Sequence, residues 1–179
     1  MYKNYEDFVS KFFGKNETKV KFICAGVGYN LAKIMSVPGA SKVLDSMRFL
    51  YSEDSLNDYI GESVEKSVCL DTAIKLTNFK PDIGKISVGI TGAITTNRYR
   101  KGSNEAFISI RDNKNNLSNY HILLPKLDEE SYKLRSVNPV NIQVLREWED
   151  NVISMTALQL LEPNIPWMFP DNAKLTELK

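Results

Sequence analysis

Two apolar runs that each lead into glycine constrain this chain more than anything else in it. Lys19-Val20-Lys21-Phe22-Ile23-Cys24 starts with polar alternation and turns fully apolar before Gly26 and Gly28, as a strand entering a core does. Ile86, Val88 and Ile90 alternate with Ser87, Gly89 and Thr91 and then meet Gly92. Helix signals surround both runs. Tyr5, Phe8, Val9 and Phe12 fall at helical spacing before Gly14, and Asn30 to Met35 reads as a helix stopped by Pro38-Gly39. Ser63 is a plausible N-cap for a helix with an inner stripe of Val64, Val68, Cys69, Ala73 and Leu76, ending before Pro81. Ile142, Leu145, Trp148, Val152, Met155 and Leu158 mark one face of a long helix that stops at Pro163. Met47, Phe49 and Tyr51 alternate as a further strand. Ala106, Ile108 and Ile110 face Tyr120, Ile122 and Leu124 across a turn at Asp112 to Ser118, an antiparallel hairpin.

Such an alternation predicts a three-layer α/β/α sandwich with a mixed sheet of about five strands, its ligands bound beyond the carboxyl ends of the strands. The 179 residues suit one domain, expected over 1–162. Residues 163–179 interleave Pro163, Pro166 and Pro170 with Trp167, Met168 and Phe169, an extension too apolar for a solvated tail and expected to dock on this subunit or a neighbour.

Charge narrows the partners. Lys and Arg number 23 against 22 Asp and Glu, so no broad footprint exists for duplex nucleic acid or a membrane surface. A small molecule held at a local site is the expected partner. The two cysteines, Cys24 and Cys69, fit a reducing, cytoplasmic setting, and no spacing of His, Cys and carboxylates suggests a metal or other cofactor.

Two places carry candidate chemistry. At Cys24-Ala25-Gly26-Val27-Gly28-Tyr29 the glycines let backbone N–H groups approach an anion at a helix start, although Leu31 stands where a dinucleotide fingerprint needs its third glycine. A plain strand-to-helix turn explains the same residues. The second place is Thr91-Gly92, followed by Arg98-Tyr99-Arg100-Lys101-Gly102, which reads as a phosphate clamp or as a solvated basic loop. Cys24, at a helix start, is either an activated thiol or a buried inert one; the single histidine, His121, belongs to the hairpin as a strand-surface residue. Ser63 and Lys66 match S-x-x-K, but capping accounts for the serine.

Val37-Pro38-Gly39-Ala40-Ser41, after a glycine-containing turn and before Tyr51-Ser52, resembles the C-terminal domain of the CinA family, the nicotinamide mononucleotide amidohydrolases. The order of later features agrees from about Lys19 to Leu161. The resemblance implies a three-layer α/β/α domain, commonly oligomeric, and hydrolysis of a nicotinamide amide to the acid and ammonia. It sets Ile23 to Gly28 on the family's E-S-C-T-G-G turn, so Cys24 takes the position of the nucleophilic serine. Tyr51 keeps the family's tyrosine, while Leu56 replaces the lysine that deprotonates the nucleophile. Thr91-Gly92 opens the family's T-G-x-A-G-P-x-G-G loop, and Arg146 matches its arginine near the start of the last helix.

Three readings follow. The first is a domain binding a phosphorylated, pyridine-type nucleotide through Gly26, Gly28, Ser41, Thr91, Gly92, Arg98, Arg100 and Arg146. The second is an altered amidohydrolase using Cys24 and Tyr51. The third is a non-catalytic oligomerisation or interaction module.

Overall fold

The computed structural model of the chain describes residues 2–15, 18–78, 84–134 and 141–179. Six strands form one mixed sheet: β1 (Val20–Ala25), β2 (Leu44–Leu50), β3 (Ile86–Ala93), β4 (Asn104–Arg111), β5 (Leu117–Leu124) and β6 (Lys174–Leu178), in the order β2-β1-β3-β4-β5-β6. The first three run parallel and the remaining pairs are antiparallel. The sheet therefore has one strand more than expected, because the C-terminal segment returns to pair with β5.

Alternation along β1 divides the core. Phe22 and Cys24 face α1 (Tyr2–Lys15), α5 (Ile142–Leu161) and a 3-10 helix over Tyr29–Ser36; Ile23 and Ala25 face α2 (Glu53–Ile60) and α3 (Leu70–Asn78). The expected stripe of α1 is all buried: Tyr5, Phe8, Val9 and Phe12. A short α4 (Glu129–Leu134) precedes the long α5. The hairpin turn is held by the Asp112 carboxylate, which accepts the N–H groups of Lys114 and Asn116 at 2.9 and 2.8 Å.

Two helix expectations need correction. Ser63 caps nothing, and the helix it was to open begins only at Leu70. The cap lies earlier: Ser52 and Ser55 exchange side-chain-to-backbone bonds in a capping box at the start of α2, with Glu53 and Asp54 in its first turn and Gly61 at its end. The hydroxyl of Ser55 stands in for the usual Glu or Gln, so the pattern is hard to see in sequence. Pro81 lies outside the described residues. Among the described residues, no helix is long and apolar enough to cross a membrane, and no three His, Cys, Asp or Glu side chains come together to hold a metal ion.

Candidate functional site

The parallel strands β1, β2 and β3 end together. The backbone N–H of Gly26 donates to the carbonyl of Leu50 at 3.1 Å, tying the ends of β1 and β2. A Cβ added to Gly26 would stand 3.0 Å from the carbonyl oxygen of Gly92, a measure of how closely the β1 turn approaches the end of β3. Beyond these ends opens a crevice of about 200 Å³ lined by Ala25, Gly26, Tyr51, Ser52, Glu53, Leu56, Ser67, Thr91 and Gly92, among others. Both glycine-punctuated strand ends thus meet in one hollow.

Its chemistry differs from that of a phosphate pocket. Among the described residues no Lys or Arg lines it, and Glu53 contributes the one ionisable carboxyl. The Thr91 hydroxyl is fully buried and donates to the carbonyl of Ser67 at 2.5 Å, fastening the segment before α3 to the strand end. Tyr51 is 83% exposed at the rim.

Of the expected cations, Arg100 and Arg146 are engaged with the backbone around the loop after β3. Arg100 donates to the carbonyl of Ser103 at 2.7 Å and to the Asn104 side chain at 2.9 Å, while Lys126 donates to the carbonyls of Arg100 and Gly102 and sits over the Tyr99 ring. Arg98 is exposed, and its carbonyl accepts the Thr96 hydroxyl at 2.6 Å. Arg146, on α5, donates to the carbonyl of Thr95. The loop after β3 is thereby knotted on itself and on α5. Glu149 completes the knot, accepting the Thr95 N–H at 2.7 Å, the Thr95 hydroxyl at 2.9 Å and the Asn104 amide at 2.7 Å. Burial pushes its carboxyl above the usual range against the pull of those donors.

The Gly26–Gly28 turn does bind an anion, but an internal one. Gly28 is in the left-handed region at φ 88°, and the N–H groups of Gly28, Tyr29 and Asn30 point at the carboxylate of Asp150, at 2.5, 3.3 and 2.9 Å. The Asn30 amide adds a fourth bond at 2.8 Å. Oriented amides at a helix start are an anion nest, and α5 fills it. This feature has no signature in sequence, since 120 residues separate Asn30 from Asp150.

Cys24 is fully buried on the face of the sheet opposite Ala25, under Gly28, where an added Cβ would stand 2.7 Å from its Sγ. Burial first, then the nearby Asp150 charge, pushes the thiol well above its usual range, the reverse of activation. Cys24 does not line the crevice, so it and Tyr51 are not brought together. Leu56, at the position the family gives to lysine, is 2% exposed and packs with Ile23, Ala25, Val64 and Leu76. Ser41 is exposed in a second 3-10 helix, Ala40–Lys42, just before Val43, whose carbonyl accepts the N–H of Val20 at the first residue of β1. It therefore lies a strand's length from the crevice. His121 is part-buried on β5, stacked on Phe107 at 4.6 Å and 2.8 Å from Glu105, across the sheet from Cys24's neighbourhood.

No protein-family model and no curated protein matches the chain. Solved structures do match. The competence/damage inducible protein CihA from Agrobacterium tumefaciens superposes with a TM-score of 0.60 at 13% identity, covering 86% of this chain and 96% of that one. The chain has a CinA-like fold. A CinA superfamily protein from Enterobacter cloacae gives 0.60 at 12% identity over 88% of this chain and 91% of that one, and one from Escherichia coli gives 0.58 at 13% over 88% of each. At these identities the likeness is one of architecture. The CinA-like frame brings the ends of β1, β2 and β3 together, while the side chains placed there are this chain's own.

Proposed function

We propose that this CinA-like domain binds a ligand of the pyridine-nucleotide class in the crevice at the ends of β1, β2 and β3, and that it does not hydrolyse an amide through Cys24. The observation that carries the reading is the meeting of Gly26, Thr91-Gly92, Tyr51 and Glu53 in one hollow. A ring rather than a phosphate suits its chemistry. The Glu53 carboxylate and the exposed Tyr51 ring match a cationic aromatic ring, and about 200 Å³ encloses a ring but not a whole nucleotide. The phosphate end then extends outward into solvent. Against hydrolysis stand the buried, deactivated thiol and the apolar Leu56, since loss of a general base removes about 10² to 10⁴ in rate.

Thermal shift and calorimetry with nicotinamide mononucleotide, nicotinamide and inorganic phosphate test the reading. Nicotinamide mononucleotide at about 100 times its dissociation constant adds about 2.7 kcal/mol of stability, inorganic phosphate adds none, and Glu53→Gln combined with Tyr51→Ala removes the gain. Ammonia release stays at background. Absence of a shift with any pyridine compound, or ammonia release that disappears in a folded Cys24→Ala variant, overturns the proposal.

A further inference from the structure

The rim of the crevice at the ends of β1, β2 and β3 carries charge of mainly one sign. Glu53 lines the crevice, and Asp54, the next residue of α2, is exposed beside it. On the segment before α3, Ser67 and Val68 line the crevice and follow directly on the exposed Glu65 and Lys66. Arg48, two residues before Leu50, lies over the Tyr59 ring at 5.4 Å. Within two positions of the lining, then, Glu53, Asp54, Asp58 and Glu65 stand against Arg48 and Lys66, and Arg48 is already placed on a ring.

A phosphate needs donors, and those around these strand ends are occupied. The Gly26 N–H donates to the carbonyl of Leu50 at 3.1 Å, and the Thr91 hydroxyl to that of Ser67 at 2.5 Å. The N–H groups of Gly28, Tyr29 and Asn30 are taken by Asp150. At the start of α2 the Ser55 N–H donates to the Ser52 hydroxyl at 3.1 Å, and the positive end of the helix dipole already meets Glu53 and Asp54. A phosphoryl group at this rim gives up hydration, gains no cation that lines the crevice, and sits in a field of its own sign. A pyridinium ring is the reverse case. The Glu53 carboxylate has no hydrogen-bond or ion-pair partner among the described residues, and with the exposed Tyr51 ring it attracts a cation. Ser67, on the lining, offers a hydroxyl to a neutral sugar.

We infer that the crevice selects a pyridinium nucleoside without a phosphate, a cationic ring on an uncharged sugar, over the corresponding mononucleotide. This rests on the reading of the crevice as a pyridine site and adds what discriminates there: Glu53 draws the ring in, and the acidic rim repels a phosphate carried on the sugar.

Calorimetric titration of the full chain with nicotinamide riboside, nicotinamide mononucleotide, 1-methylnicotinamide and neutral nicotinamide tests it, at low salt and in about 0.5 M sodium chloride. At low salt the riboside binds about tenfold tighter than the mononucleotide, and 1-methylnicotinamide about tenfold tighter than nicotinamide. High salt closes both gaps to about twofold. Glu53→Gln, at an exposed position, narrows both gaps with the thermal midpoint unchanged, and Lys66→Met leaves the riboside ahead by as much or more. A mononucleotide that binds as tightly as the riboside at low salt overturns the inference and leaves the pyridine reading standing. So does a Lys66→Met variant that loses affinity for the mononucleotide alone, or a riboside preference that neither salt nor Glu53→Gln moves. Absence of saturable heat with all four compounds up to about 10 mM overturns both.

Discussion

The carboxylate of Asp150 accepts the backbone N–H of Asn30 at 2.9 Å and, through its other oxygen, that of Gly28 at 2.5 Å. One side chain from the last helix thereby saturates the first N–H groups of the first crossover, which would otherwise be buried donors without partners. The glycine turn is a site for an anion, and the chain supplies that anion itself.

Removing it should be costly. Asp150→Ala strands at least three buried donors and is expected to lower stability by about 3 to 5 kcal/mol, with Asp150→Asn, which keeps one acceptor, losing about half of that. Urea unfolding at constant m-value measures both. A loss below about 1 kcal/mol in Asp150→Ala would show that solvent replaces the carboxylate and that the nest is not closed.

The neighbouring carboxyl gives a pH signature of the opposite sign to the usual salt-bridged acid. Burial raises the Glu149 pKa in the folded state above its ordinary value of 4.5. Between those two values the folded state holds more protons than the unfolded one, so the contribution of Glu149 to stability is full below pH 4.5 and is lost as pH climbs through the raised folded value. Glu149→Gln removes this component. The difference in stability between wild type and Glu149→Gln should therefore shift against the wild type as pH rises from 4.5, in chemical denaturation across a pH series. A difference that is flat in pH contradicts the desolvation of this carboxyl.

The thiols should separate cleanly by reagent access. Cys24 is fully buried and its pKa is driven up, whereas Cys69 is only half-buried, its Sγ 3.2 Å from the carbonyl of Lys66. An aromatic disulfide reagent at pH 8 is expected to titrate no thiol other than Cys69 in the native protein and both in denaturant. Cys24→Ala should leave the native titration unchanged and cost about 1 kcal/mol. Rapid native labelling that vanishes in Cys24→Ala would place the thiol within reach of solvent.

The C-terminal segment is part of the sheet. Ile165 is buried, Gln159 donates to the carbonyl of Trp167 at 2.9 Å, and β6 pairs with β5 from Leu123 opposite Lys174 to Asn119 opposite Leu178. Deleting residues after Pro163 is expected to remove about 3 kcal/mol or more, from lost apolar burial and an exposed β5 edge. A truncated chain that unfolds at the wild-type urea midpoint would mean that the strap adds nothing to stability.

By itself the sequence determined the elements that bury a one-sided pattern. Period-two alternation in β1, β3, β4 and β5, and period-3.6 stripes in α1 and α5, are local consequences of which side chains must leave water, so they are readable wherever they run uninterrupted. The convergence of Gly26 with Thr91-Gly92 was readable too, because parallel strands joined by helical crossovers end on the same side. Only the tertiary structure decided what that geometry is for. Asp150 in the glycine nest, Leu56 packed in the core, and Arg100, Lys126 and Arg146 spent on loop carbonyls are all pairings across the fold. Whether a charge or a donor is available to a ligand depends on partners far away in the chain, and local pattern carries no record of them.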